Sequence, residues 1–179
     1  MRSEGVFDLN KPQRVWRLPK DVNTDNLAPG AYMKLPVAQI AKHTLESVRP
    51  EFASSVVKGD LIAAGANFGI GSSREQAAGV LLELGVAAVI APSFSGLFFR
   101  NAFNLGLLLL TCPKAELIGE GDTVYLRRET KNHMTQGKIH TFFIQTPAGE
   151  DLECTPIPEF LMQMIDQGGL LNVLKSKLK

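Results

Sequence analysis

The sequence predicts an α/β fold, on two observations. Three short apolar runs, at residues 61–64, 86–91 and 107–110, have the length and composition of buried strands. Between the first two runs, apolar residues recur with helical spacing at Ala77, Val80, Leu81 and Leu84. Strands that alternate with helices pair in parallel, so this middle part is predicted to be a parallel sheet covered by helices.

The part of the chain before this region is predicted to hold a strand, a loop and a helix. A short strand is expected at residues 14–18, where Pro19 ends it. A polar, turn-rich loop follows over residues 21–30. Apolar residues on one helical face predict a helix over residues 37–48, and Pro50 lies just beyond its end.

The part after the middle region has a different character. β-branched and aromatic residues at 123–127 and 138–146 predict an antiparallel, hairpin-like section. Gly85 is expected to end the helix of the middle region as its left-handed cap. Further helices are expected at three segments: 96–102, 156–166 and 170–179.

Composition excludes several classes of protein. The chain has 179 residues, 45% of them hydrophobic, and a net charge of +1, which excludes intrinsic disorder as the main state and non-specific nucleic-acid binding. Residues 1–13 are interpreted as a polar leader and residues 14–179 as a single domain. No apolar run resembles a signal peptide or spans a bilayer, so a cytoplasmic protein without membrane contact is expected.

The segment from Gly65 to Gln76 carries the clearest functional signal. Its glycines allow a sharp turn and close approach of a ligand, and Ser72-x-x-Glu75 has the spacing of a helix capping box. Arg74 would then lie in the first helical turn, where a carboxylate or phosphate ligand would favour it. The pattern indicates either an anion pocket or an ordinary helix start, and it matches neither a phosphate-binding P-loop nor a dinucleotide fingerprint.

The same segment resembles the swivel domain of the aconitase family. Within that family it is similar to the branch of 3-isopropylmalate dehydratase and homoaconitase small subunits. The resemblance begins at Asp21-Val-Asn-Thr-Asp25, centres on Gly71-Ser-Ser-Arg-Glu-Gln76 and reaches Pro158-Glu-Phe-Leu161. Other matching segments are Pro50-Glu-Phe52, Phe99-Arg-Asn101 and Gly168-Gly-Leu170.

The resemblance implies a three-layer β/β/α fold with a parallel core and an antiparallel β-rich remainder. It also implies a heteromeric hydro-lyase, a heterodimer or heterotetramer, in which a large subunit carries a [4Fe-4S] cluster. This chain is expected to hold no cofactor and no metal, and its two cysteines are too few for a cluster. The implied reaction converts 2-isopropylmalate to 3-isopropylmalate in leucine biosynthesis. Alternatives are a homoaconitate, 2,3-dimethylmalate or citraconate hydratase small subunit, and a non-catalytic module that binds an organic anion.

The resemblance also assigns residues to roles. Ser72 is implied as the base, used as an alkoxide, with Ser73 positioning it and Arg74 binding a substrate carboxylate. The remaining substrate-binding positions are implied at Tyr32, Met33, Lys34, Leu35, Asn67 and Gly71, and supporting positions at Thr24, Asp25 and Glu75.

The segment over residues 29–35 leaves the substrate open. Lys34 would meet an extra carboxylate or remain solvated, whereas Met33 and Leu35 would line a pocket for an isopropyl group. Ala31 stands where family members often carry arginine. Outside this segment, Arg100 and Asn101 are interpreted as structural, supporting the loop or an interface.

Overall fold

The computed structural model describes residues 11–135 and 137–178. The polar leader predicted over residues 1–13 lies outside the described residues for its first ten positions. The strand predicted at 14–18 is present and begins one residue earlier, as β1 (Gln13–Leu18). No helix among the described residues has the length and apolar character needed to cross a membrane.

The described residues contain an eight-stranded mixed sheet, and its parallel half is built from the apolar runs of the middle region. These strands are β2 (Leu61–Ala64), β3 (Ala88–Ala91) and β4 (Leu108–Thr111), in the order β4-β3-β2-β1, each parallel to its neighbour. Every residue of β2 and β3 is buried. Continuous apolar runs are typical of parallel strands, which are covered on both faces.

The antiparallel half joins the parallel half through β1. Its strands are β5 (Thr123–His133), β6 (Gly137–Gln145), β7 (Asp151–Glu153) and β8 (Ile157–Pro158). The start of β1 pairs antiparallel with β5, while the rest pairs parallel with β2. β6 lies between β5 and β7 and also pairs with β8. The predicted fold class, with a parallel core and an antiparallel β-rich remainder, is confirmed.

Two expectations for the first part of the chain are wrong. The predicted loop contains a short helix, α1 (Thr24–Leu27), which Asn23 caps together with Asn26. The helix predicted over 37–48 stops as α2 (Val37–Ile40), and a 3₁₀ turn follows at Ala41–His43. Leu45 is fully buried with a φ of 61°, and its amide donates to the Asn26 carbonyl at 2.8 Å. This tertiary contact outweighs the helical periodicity.

One short helix, α3 (Phe52–Ser55), is not predicted by the sequence. The remaining helices follow the predictions more closely; they are α4 (Gln76–Glu83), α5 (Gly96–Leu105), α6 (Glu159–Asp166) and α7 (Leu170–Lys177). Gly85 follows α4 with a φ of 82°, as expected of a left-handed cap. α5 runs three residues beyond the predicted end and is capped by Gly106. α6 begins later than predicted because residues 157–158 form β8.

One glycine fixes how closely α5 approaches the chain that follows β2. Gly69 has a φ of +79°, and a Cβ built on it would lie 2.2 Å from Cγ of Phe98 in α5. The Gly69 amide also donates to the Val22 carbonyl at 2.8 Å, so the backbone cannot move away without losing a hydrogen bond. Only glycine satisfies the conformation and the space together.

We therefore expect Gly69→Ala to destabilise the chain by about 2–5 kcal/mol, since left-handed backbone strain adds to overpacking against Phe98. Gly121→Ala is the matched control, because Gly121 has a similar φ of +73° and nothing within 4 Å of its built Cβ. It should cost only about 1–2 kcal/mol. Urea unfolding measures both variants, and equal losses would show that the contact with Phe98 contributes nothing.

Candidate active site

The candidate site is formed by loops that leave β1 and β2 at the carboxyl edge of the parallel strands. Loop 1 (residues 19–36) contains α1, and loop 2 (residues 65–75) leads into α4. Besides the Gly69 hydrogen bond to Val22, the Thr24 amide donates to the Ile70 carbonyl at 2.9 Å. The two loops therefore run side by side beyond the sheet. Ligands of open α/β sheets bind at this edge.

A third loop (loop 3, residues 92–95, after β3) holds loop 2 from its other side. The Phe68 amide donates to the Ser93 carbonyl at 3.1 Å, and the Asn67 amide donates to Ser93 Oγ at 2.9 Å. The Asn67 side chain donates to the Asp21 carboxylate at 2.9 Å. Asn67, predicted to bind substrate, thus bridges loops 1 and 3 in this structure.

Ser72 lies on the exposed part of loop 2, beside a buried hydroxyl of loop 1. Its Oγ is 3.3 Å from Oγ1 of Thr24 at the start of α1. Gly71, which precedes it, has a φ of +115°, and a Cβ at this position would lie 2.9 Å from the same threonine oxygen. Because Gly71 has no side chain and adopts a positive φ, Ser72 can lie close to Thr24.

The predicted capping box is not formed. α4 begins at Gln76, its N-cap is Glu75, and the Glu75 side chain makes no capping hydrogen bond. Ser72 is four residues upstream of the helix, and Arg74 precedes the first turn rather than lying in it. The reason is tertiary: the Ser72 hydroxyl is close to Thr24, and the Arg74 side chain is held by loop 1.

Arg74 already contacts a carboxylate of the chain itself. Its Nη1 donates to Asp25 Oδ1 at 2.5 Å and to the Ala28 carbonyl at 3.0 Å. The same Asp25 oxygen accepts the Gly30 amide at 2.9 Å. The Arg74 hydrogen bond, followed by that of Gly30, lowers the pKa of Asp25 below its ordinary value. Both hydrogen bonds that the Arg74 side chain donates within the described residues leave from Nη1, so Nη2 and Nε make no hydrogen bond to the described part of the chain.

Ser73 is exposed, and its carbonyl accepts a hydrogen bond from Nδ2 of Asn101 in α5 at 3.2 Å. The structural role expected for Asn101 thus has a specific contact. Asn101 lies one helical turn after Phe98, the residue beneath Gly69. That spacing, which places both side chains on one helical face, is the only signal of this contact in the sequence.

In the described contacts, the predicted specificity segment over residues 29–35 is connected to Arg74 through the Gly30 amide, which donates to the same Asp25 oxygen as the guanidinium. The Tyr32 ring stacks on the His43 ring at a centroid distance of 3.7 Å. Tyr32 and Met33 are both half-buried against the core. Lys34 and Leu35 are exposed. No described contact joins these four side chains to Ser72.

Metal-binding groups are sparse in the described part of the chain. Among residues 11–135 and 137–178, no three or more histidine, cysteine or acidic side chains are grouped so as to hold a metal ion. Cys112 and Cys154 are both buried free thiols. The hydrogen bond between them lowers the pKa of Cys112 to about 7 and raises that of Cys154.

Comparison with known proteins matches the chain to one family model and to relatives that share one name. Residues 39–115 match the aconitase C-terminal domain family. The chain is 42% identical to the 3-isopropylmalate dehydratase small subunit of Nautilia profundicola, over 93% of this chain and 95% of that protein. It is 40% identical to 3-isopropylmalate dehydratase small subunit 1 of Archaeoglobus fulgidus, over 91% and 96% of the two chains.

A solved structure shares the fold. The crystal structure of 3-isopropylmalate dehydratase from Methanocaldococcus jannaschii superposes with a TM-score of 0.80 at 31% identity, and the match covers 93% of this chain and 94% of that one. The similarity to this family that is visible in the sequence of loop 2 therefore extends over most of the fold.

The ion pair of Asp25 with Arg74 has a testable pH dependence. Because the pKa of Asp25 is lowered in the folded chain, the contact is fully present at neutral and mildly acidic pH. It is lost only as the pH falls through the folded pKa, below the ordinary value of about 3.9. Carboxyl ¹³C NMR of Arg74→Gln should show the Asp25 midpoint rising toward that value. Arg100→Gln removes an exposed positive charge elsewhere and should leave the midpoint in place; an unmoved midpoint in Arg74→Gln would contradict the assignment.

Proposed function

The chain belongs to the 3-isopropylmalate dehydratase small-subunit family, and we propose that it is the small subunit of a two-chain hydro-lyase. Its reaction would be the isomerisation of 2-isopropylmalate to 3-isopropylmalate in leucine biosynthesis, by dehydration followed by rehydration. The observation that carries this proposal is the pairing of Ser72 with Thr24 and of Arg74 with Asp25 on one exposed edge. A hydroxyl and a guanidinium are thereby presented to the same ligand.

Ser72 is proposed as the base. Its Oγ, as an alkoxide, would take the proton from the carbon beside a substrate carboxylate, while the neighbouring carbon releases hydroxide, which takes up a proton from outside this chain and leaves as water. In the return step, a water molecule gives up that proton and adds as hydroxide at the first carbon, and the proton held by Ser72 goes to the second. The Thr24 hydroxyl, 3.3 Å away, can donate to the serine oxygen and stabilise its negative charge.

Arg74 is proposed to bind a substrate carboxylate. Nη1 is held by Asp25 and Ala28, so the guanidinium plane is fixed before the ligand arrives. Nη2 and Nε then offer the paired donors that a carboxylate accepts in bidentate geometry. Ser73 and Gly71, exposed beside them, would border the bound acid.

The supporting and specificity roles remain part of this proposal. Asp25 connects Arg74 to the Gly30 amide, so the segment from Tyr32 to Leu35 begins next to the guanidinium. Exposed Lys34 and Leu35 would then face the substrate side group or the partner chain, with Tyr32 and Met33 packed behind them. Asn67 would act by holding loop 1 against loop 3. Glu75 is exposed and is the N-cap residue of α4, so it would support the site from the end of loop 2.

The partner is proposed to be a large subunit that carries an iron–sulfur cluster. Gly71, Ser72 and Ser73 are exposed, so the site is open on the side where a second chain would cover it. The two cysteines of this chain are buried free thiols, which fits a cluster held by the partner. When present, such a cluster supplies Lewis-acid activation of the substrate hydroxyl.

Anaerobic co-expression with the candidate large subunit tests the proposed function. The absorbance of the unsaturated intermediate would be followed from 3-isopropylmalate, citraconate and homocitrate. Turnover of 3-isopropylmalate only when both chains are present is the expected result. Preference for another acid would reassign the substrate. No turnover by a cluster-loaded complex on any of these acids would favour a non-catalytic anion-binding module instead.

Ser72→Ala should lower kcat by at least about 100-fold, because a positioned base is lost. The variant should fold and bind the large subunit normally, since the Ser72 hydroxyl caps no helix in this structure. Ser95→Ala is the matched control: this serine also precedes a helix and makes no capping hydrogen bond. Steady-state kinetics and thermal unfolding separate the two effects. Full activity of Ser72→Ala would remove Ser72 from the chemistry.

A further inference from the structure

We propose that Asn101 is a positioning residue that sets the orientation of Ser72 and of the Arg74 main chain; the inference rests on the function proposed above. Asn101 lies in α5 and touches neither of those side chains in the described contacts. Its side-chain amide donates to the carbonyl of Ser73, the residue between them, at 3.2 Å. It acts through the backbone that carries the two groups.

The backbone around Ser73 has few other restraints. Within the described residues, the main-chain groups of Gly71, Ser72 and Ser73 take part in two hydrogen bonds. One is local, from the Arg74 amide to the Ser72 carbonyl at 2.9 Å. The other comes from Asn101 and is therefore the tie between this exposed stretch of main chain and a different element of the fold.

Asn101 itself is fixed by the packing of α5. Phe98, one turn earlier, is buried and makes an edge contact with Phe68 at a centroid distance of 5.3 Å. Phe99 of the same helix packs against Phe94 of loop 3 at a centroid distance of 6.2 Å. The helix cannot shift without disturbing these rings. The amide of Asn101 therefore holds the Ser73 carbonyl at a position set by the core.

The Ser73 carbonyl belongs to the peptide group that links Ser73 to Arg74. A rotation of this peptide would change the direction of the Arg74 main chain and break the Arg74 hydrogen bond to the Ser72 carbonyl. It would thus disturb the 3.3 Å approach of Ser72 to Thr24, while Asp25 and Ala28 continue to hold the Arg74 guanidinium. Displacements of about 1 Å can cost on the order of 100-fold in rate.

The chemistry of the contact separates positioning from packing. Asn101→Asp keeps the volume of the side chain and replaces the donor with a carboxylate oxygen, which repels the Ser73 carbonyl. Asn101→Ala removes the donor without repulsion. A positioning role therefore predicts that the aspartate variant is at least as damaged as the alanine variant. A role in packing alone predicts the reverse order.

The decisive experiment measures kcat, KM and thermal stability of both variants in the two-chain complex. We expect kcat to fall about 10- to 100-fold in Asn101→Asp, with KM for 3-isopropylmalate changed by less than about threefold because Asp25 and Ala28 still hold Arg74. Asn104→Asp, which adds the same charge one turn further along α5, is the control and should stay within about twofold of the wild type. If the alanine variant fails to fold, the isosteric aspartate variant carries the test alone.

A second measurement on the full chain does not depend on turnover. Amide NMR resonances of Ser73 and Arg74 should shift in Asn101→Asp and stay in place in Asn104→Asp. If the wild-type complex is inactive, the proposed function fails, and these resonances still decide whether Asn101 orients the segment. Wild-type kcat in Asn101→Asp, or unmoved Ser73 and Arg74 resonances, would overturn the inference.

Discussion

The parallel pairing of β1 with β2 is the constraint on which the site depends. Its register places Leu18 beside Ala64, so both strands end at the same level and loops 1 and 2 leave the sheet together. A buried carboxylate fixes that register: Asp60 accepts hydrogen bonds from Arg14 at 2.5 Å and from Trp16 Nε1 at 2.8 Å. A buried charge that lost these partners would be costly, so a shifted pairing is disfavoured.

Two different contacts then connect the loops at the site itself. A hydroxyl of loop 1 lies beside a hydroxyl of loop 2, and a carboxylate of loop 1 holds a guanidinium of loop 2. Loop 1 therefore supplies Thr24 and Asp25, and loop 2 supplies the exposed Ser72 and the half-buried Arg74 that contact them. Because each group of loop 2 has its own partner in loop 1, the arrangement does not rely on the helix terminus that follows.

The sequence predicted most of the fold, but it did not predict the contacts that the proposed site residues make. Strands and helices with strong periodicity were found, because local pattern and tertiary burial agree there. The helix over 37–48 failed where the Leu45 amide takes a partner in loop 1. The capping box failed because Ser72 and Arg74 have partners about 50 positions away, Thr24 and Asp25, which spacing within loop 2 does not report. The Ala28 carbonyl and the Gly30 amide are backbone groups, so their residue types carry no signal of the role.

The contact between Asp25 and Arg74 also bears on which anions the site admits. In the free chain the guanidinium charge is already compensated, so a small inorganic anion gains little by approaching it. A ligand must bring enough further interactions to share the guanidinium with Asp25, whose negative charge repels a second carboxylate. Under the proposed function, Asp25 stays beside Arg74 when the acid leaves, so the guanidinium would need no new counter-ion. The built-in carboxylate would then select against weakly held anions.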